Sequence, residues 1–334
     1  MDLSNIRSAR LFAVLAVILV GLHPTETTWA TRAASPQQGK QSTEPASVES
    51  AAGILDLRKL KLPDDAEPVS DLRLAGASYK MKASVKDALT GIRKQLIGLG
   101  CKEADGTVAT DEYASATFQK ADFRIAVMVL PNQPGEVMVT VDNLSNLDLS
   151  KLPLPNAATP QFASAAMAMY QVDAGHEKVK EEISSQMVKS KWEPYGTAGD
   201  QLFFRRNAVI ASINCMAAPG QDGKSIVQYS ARLVSAEIPL PASASDAQYA
   251  DVTQELSFTT KDDVAQVSQF YAKSLASSGW KPTAEAPAPV DFDLIQIFAQ
   301  EKTGQLMRLM IREVKDEGHL KVRMKLWRIE EEKE

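Results

Sequence analysis

"FYAKSLASSGW", residues 270–280, decides how the chain is read, because an amphipathic run stops there abruptly on Gly279-Trp280. The run belongs to a longer segment, Val264 to Trp280 ("VAQVSQFYAKSLASSGW"), which has a counterpart at a constant offset of 179 in Val85 to Cys101 ("VKDALTGIRKQLIGLGC"). Val85, Ala88, Ile92, Leu96, Gly100 and Cys101 fall on Val264, Val267, Tyr271, Leu275, Gly279 and Trp280. A weaker third copy lies between them, with Val179, Ile183, Met187, Lys191 and Trp192 in the places of Ala88, Ile92, Leu96, Gly100 and Cys101. Apolar residues at this spacing form one stripe along a helix. A glycine just past the last turn adopts the left-handed conformation that closes a helix, and the next side chain drops back onto the core. The abrupt ending is therefore a helix exit with a plug: Trp280, Trp192 or Cys101.

Outward from each helix the pattern changes to period two, the signature of half-buried strands. One strand precedes each helix ("GASYKMK", "AMAMYQV", "QELSFTT") and three follow, as in "SATFQK", "FRIAVMVL" and "VMVTVDNL" of the first copy. "KLPLP" (Lys151 to Pro155) and "EIPLP" (Glu237 to Pro241) recur 86 residues apart, each closing a β-rich run. The expected fold class is α+β: three tandem β-α-β-β-β units over 54–158, 159–245 and 246–334, each an antiparallel sheet with one helix packed on it. A repeat of this length is a small domain rather than a solenoid turn. Ser84 with Asp87, and Thr260 with Asp263, have the form of capping boxes. In the second copy Lys191 replaces glycine and only Asp173 offers a cap, so its helix end is expected to be the least regular.

The ends of the chain are read as addresses and tethers. Arg7 and Arg10 precede an apolar run, Leu11 to Leu22, that breaks at His23-Pro24, which predicts a signal peptide over 1–33 with cleavage after Ala30 or Ala33. The run is too short to span a bilayer, and neither cleavage site is followed by a lipidatable cysteine, so the expected product is periplasmic or extracellular with no stable transmembrane span. Residues 34–53 are small and polar, and are expected to be a flexible linker. Hydrophobic and charged fractions of 44% and 24% are those of an ordinary globular protein. A net charge of −5 argues against nucleic-acid binding, which needs a basic footprint. Cys101 stands where the other copies carry tryptophan, and Cys215 lies in a core strand, so two free buried thiols are expected, with a bridge between copies as the alternative.

The "FY-x3-L-x3-GW" run, set in a β-α-β-β-β unit behind a leader, resembles small α+β modules of exported bacterial proteins. More distantly it is similar to the helix-grip domains of the BamC type of outer-membrane-assembly lipoprotein, although the lipidation cysteine of that pattern is missing.

Catalytic patterns are scarce. His176 and His319 stand apart from any zinc-like ligand spacing. There is no G-x-S-x-G elbow and no glycine-rich phosphate loop. Asp291 and Asp293 read as a turn leading into a strand, and the sequon at Asn143 is expected to be unmodified. No cofactor or metal is expected. One surface suggests binding. Alternation from Lys321 sends Lys321, Arg323, Lys325 and Trp327 to one face, while Arg308 and Arg312 share a face of the preceding strand. Such a basic strip suits an anionic polymer, a phospholipid headgroup or an acidic protein; Glu313, Asp316 and Glu317, and the terminal "EEEKE", are the charges that would balance it. The expected function is non-catalytic binding or scaffolding in the bacterial cell envelope, with an envelope protein or anionic envelope polymer as partner. The alternatives are an envelope hydrolase whose site forms between repeats from dispersed acidic residues, and a purely structural part.

Overall fold

The computed structural model describes residues 44–218, 220, 223–314 and 318–327. The expected signal peptide, the first part of the expected linker, Asp316 and Glu317, and the acidic tail lie outside the described residues. Helix α1 (Val48–Ile54) comes first. The first repeat then runs β1 (Glu67–Pro68), β2 (Gly76–Met81), α2 (Val85–Gly98), β3 (Lys102–Glu103), β4 (Val108–Ala109), β5 (Ala114–Lys120), β6 (Phe123–Gln133) and β7 (Glu136–Asn143). The second is β8 (Thr159–Ala163), β9 (Ala168–Val172), α3 (His176–Lys189), β10 (Glu193–Ala198), β11 (Gln201–Arg206), β12 (Val209–Ala217) and β13 (Ser225–Leu233). The third is β14 (Ser245–Ala250), β15 (Glu255–Thr260), α4 (Val264–Ala276), β16 (Trp280–Pro282), β17 (Ala288–Val290), β18 (Asp293–Gln300), β19 (Gln305–Val314) and β20 (His319–Trp327).

Each repeat makes its own antiparallel sheet, and the strand orders correspond: β1-β2-β7-β6-β5-β3, β8-β9-β13-β12-β11-β10 and β14-β15-β20-β19-β18-β16. The helix carries the chain from the second strand to the far edge, from which the last strands return in sequence. The four central strands of the predicted unit are all present, and a short edge strand is added on each side. Of the opening edge strands only β14 alternates, burying Ala247 and Tyr249; all five residues of β8 are exposed.

The helices bury the predicted stripe: Ala88, Ile92 and Leu96 on α2, Val179, Ile183 and Met187 on α3, Val267, Tyr271 and Leu275 on α4. Fully burying one such aliphatic side chain stabilises the fold by roughly 1.5–3 kcal/mol. Cys101, Trp192 and Trp280 are 4%, 4% and 6% exposed, so the plugs sit inward in all three copies. Helix α2 closes as a Schellman motif, with Cys101 N donating to Leu96 O and Gly100 N to Ile97 O. Helix α3 closes in the same way through Trp192 N to Met187 O and Lys191 N to Val188 O, with Lys191 held at φ +65°. The expected irregularity of the second copy is thus absent. Tertiary packing of the Trp192 plug imposes the left-handed residue even where it is a lysine. Lys191→Gly is accordingly expected to raise stability by about 1 kcal/mol, checked by the midpoint of denaturant unfolding.

The helix starts also correct the expectations. Ser84 does cap α2 through Asp87 N, but α4 is capped by Asp263 in a box with Gln266, while Thr260 accepts from Asp262 N instead. Helix α3 begins at Gly175 without a side-chain cap, so Asp173 plays no such part.

The linker expectation fails over the described part, residues 44–53. Asn146 Nδ2 donates to Glu44 O at 2.9 Å, and Ala46 N donates to Asn146 Oδ1 at 3.0 Å. Asn207 Nδ2 donates to Pro45 O at 2.7 Å, and Ala208 N to Ala46 O at 2.9 Å. Val48 N donates to Glu237 Oε1, and Ala51 is fully buried. Small side chains let this backbone lie close against the second repeat, so hydrogen bonds replace the apolar burial that its composition lacks.

A further repeat element precedes the first and second modules. "LDLRKLKLP" (55–63) and "LDLSKLPLP" (147–155) each form a short 3-10 turn, capped by Asp56 and Asp148, and bury their leucines. "KLPLP" and "EIPLP" therefore open the following repeat as much as they close the preceding one. Leu55, Leu57 and Leu60 join the core of the first repeat. The second and third repeats share one core, bridged by Tyr195 and Tyr249, whose ring centroids are 6.2 Å apart. The edge strands β10 and β14 approach so closely that a Cβ on Gly196 would stand 2.5 Å from Ala247 O. Cys101 and Cys215 are buried and free, and burial pushes both thiols up, Cys215 to about 12.

Candidate binding surface

The predicted strip lies on the face of the third sheet opposite α4. In the register of β19 with β20, Arg308 pairs with Lys325, Met310 with Arg323, and Arg312 with Lys321, while Leu306 pairs with Trp327. Directly opposed residues of an antiparallel pair project to the same face, so the two sequence-separated groups of cations become one ladder. The alternate residues Leu309, Ile311, Val322 and Met324 point into the core. Across the outer neighbours, Lys325 faces Glu255 and Lys321 faces Thr259 on β15, while Arg308 faces Ile297 and Met310 faces Ile295 on β18. Met310, in the middle of the ladder, is 8% exposed. Long Arg and Lys stems flanking an apolar residue cover it while their charged heads stay in water.

The balancing charge is not the expected one. Glu313 pairs with buried Leu320 and so belongs to the opposite face. Asp293 balances the ladder instead. Arg312 donates to it twice, from Nε at 2.8 Å and Nη2 at 3.1 Å, and Arg323 Nη2 stands 3.9 Å away. The Arg312 hydrogen bond holds the Asp293 carboxyl below its usual range. Among the described residues the five cations thus stand with three carboxylates, Asp293, Glu255 and, beyond Thr259, Asp246, on a chain of net charge −5. Asp291 takes the tight-turn position at φ +52°, so the Asp291–Asp293 pair forms a turn and an ion pair. That turn brings up Phe292, which sequence reasoning passed over. It is 87% exposed, beside Val290 at 48%, at the end of the strip opposite Trp327 at 46%. An aromatic between two aspartates after a Pro-rich stretch, "APAPVDFD", was the available signal. At Lys321 the face runs into a recess of about 390 Å³ lined also by Ser245, Asp246, Thr259, Lys261 and His319.

The other polar groups are committed elsewhere. His176, Glu177 and Asp200 bring possible metal-ligating atoms within 4.8 Å of one another, but Lys180 Nζ lies 3.4 Å from Glu177 and 3.5 Å from Asp200, in the place a cation would take. Between repeats, the Asp251 carboxylate accepts from Arg73 Nε at 3.0 Å, Ser235 N at 2.6 Å, the Ser235 hydroxyl at 3.0 Å and the Tyr249 hydroxyl at 3.0 Å. These bonds are structural. Asp142 belongs to the same junction, where desolvation pushes its carboxyl up against the opposing pull of Arg73 and Arg232. Asn143, the sequon residue, is 1% exposed.

Among the described residues no helix is long and apolar enough to cross a membrane. The fold and site define a tandem α+β protein with a basic sheet face. No protein-family model, curated protein or solved structure matches the chain.

Proposed function

We propose that the chain is an exported, non-catalytic binding or scaffolding protein of the bacterial cell envelope, and that the open face of its third sheet recognises an anionic partner. The observation that carries this reading is the cross-strand ladder: Arg308, Arg312, Lys321, Arg323 and Lys325 in register on one face of a net acidic chain. Concentrating like charge on neighbouring strands is destabilising in isolation, and an opposite charge supplied from outside relieves it. The leader-like start supports export. The commitment of Asp251 to four structural hydrogen bonds weighs against the rival hydrolase reading, because it removes one inter-repeat carboxylate from acid–base work.

The test is capture from envelope extracts on immobilised protein, wild type against the doubly reversed Arg323→Glu/Lys325→Glu. The partners held by the wild type should be lost or strongly reduced on the variant, and capture should weaken with salt. An unchanged set of partners would remove the strip from consideration.

A further inference from the structure

We propose that the strip docks on an anionic lipid surface, with Phe292 and Trp327 entering the headgroup region at its two ends; this rests on the reading of the strip as a binding face. From the Arg312–Lys321 pair to the Leu306–Trp327 pair the ladder covers seven residues of β20, whose six steps span roughly 20 Å at about 3.3 Å each. Over that length the cations stand on a sheet face rather than in a groove, so they match a charged plane better than a single small anion. Membrane surfaces attract such clusters through the summed effect of several Lys and Arg residues.

The aromatics decide between a lipid surface and an acidic protein. Phe292 is the most exposed large apolar side chain among the described residues, at 87%, and it occupies the tip of the β17–β18 hairpin. Its neighbour Asp293 is clamped by Arg312, so the tip is tied to the cationic end of the ladder. An acidic polypeptide would satisfy the cations and leave this ring in water. A headgroup layer admits it, and tryptophan is enriched at the same depth. Stable attachment of a protein without a spanning helix needs two weak signals together, apolar insertion and basic attraction. The strip supplies both, with aromatics at either end and charge between.

The experiment is flotation of the full chain with phosphatidylcholine vesicles, with and without phosphatidylglycerol, alongside binding to soluble polyglutamate. The apolar run at Leu11 to Leu22 is common to every variant, so the comparison between variants isolates the strip. Arg323→Glu/Lys325→Glu should lower partition onto the anionic vesicles at least about tenfold. Phe292→Ala should lower it roughly fivefold while leaving its salt dependence intact. Thermal unfolding midpoints within a degree or so of wild type would show that these exposed substitutions leave the fold alone. Anionic-vesicle partition indifferent to all these variants would overturn the lipid inference. If charge reversal abolished polyglutamate binding while Phe292→Ala stayed silent on vesicles, the strip would stand as a binding face and the lipid assignment alone would fall.

Discussion

Gly196→Ala is expected to destabilise the chain by about 3 kcal/mol or more, although it adds a single methyl group. Two effects combine. Gly196 is held at φ +122°, where a residue with a Cβ is strongly disfavoured. The added carbon would also stand 2.5 Å from Ala247 O, a backbone atom of the facing edge strand, which cannot rotate out of the way as a side-chain tip can. Relief requires β10 and β14 to part, and that opens the shared core around Tyr195 and Tyr249. Denaturant unfolding should read this directly. Gly199→Ala is the control: φ is +58° there and nothing lies within 4 Å of an added Cβ, so only about 1 kcal/mol is expected. Equal losses at the two positions would refute the close approach of the two edges.

Asp251→Ala is expected to cost about 3–5 kcal/mol. The carboxylate belongs to the third repeat, Arg73 to the first, and Ser235 to the connection after the second; the Ser235 hydroxyl also accepts from Ala75 N at 3.1 Å. Arg73 is 7% exposed, so deleting Asp251 breaks its ion pair away from water and leaves the guanidinium only the Ser70 hydroxyl, the Asp71 carbonyl and the nearby Asp142 carboxyl. The Tyr249 hydroxyl, whose ionisation burial already pushes far up, loses its acceptor as well. If the loss comes from a stranded charge, removing both ions should hurt less than the sum of the single losses. A double-mutant cycle of Arg73→Ala and Asp251→Ala should therefore show coupling of about 1–3 kcal/mol. Strict additivity would mean that the two groups do not meet in the folded protein.

The central strands and the three repeat helices, α2 to α4, are legible in the sequence because each buries one face, and burial writes a period into the residue types. Helix α1, with Ala51 its one buried residue, carries no such period. The edge strands other than β14 are not legible. Strand β8 is exposed throughout, and β3 has two residues, so neither carries a pattern. The opening element, in which "LDLRKLKLP" and "LDLSKLPLP" agree at seven of nine positions, lies outside the periodic segments, so no period in the residue types marks it. For the binding face, parity alone placed Lys321, Arg323, Lys325 and Trp327 together. Joining them to Arg308 and Arg312 required the pairing register, and finding Asp293 and Phe292 required the position of the hairpin turn. Lys191 shows the converse limit: a residue with poor local preference for its conformation is held there by the indole behind it.

Residues 44–54 are made early and seated late. This stretch is synthesised before every module, yet its anchors are Asn146, Asn207, Ala208 and Glu237, which follow much later in the chain. The first module can close around Leu55, Leu57 and Leu60 on its own, whereas the second awaits part of its interior from the third. The earliest ordered residues must therefore be among the last to settle, locking the assembly like a latch.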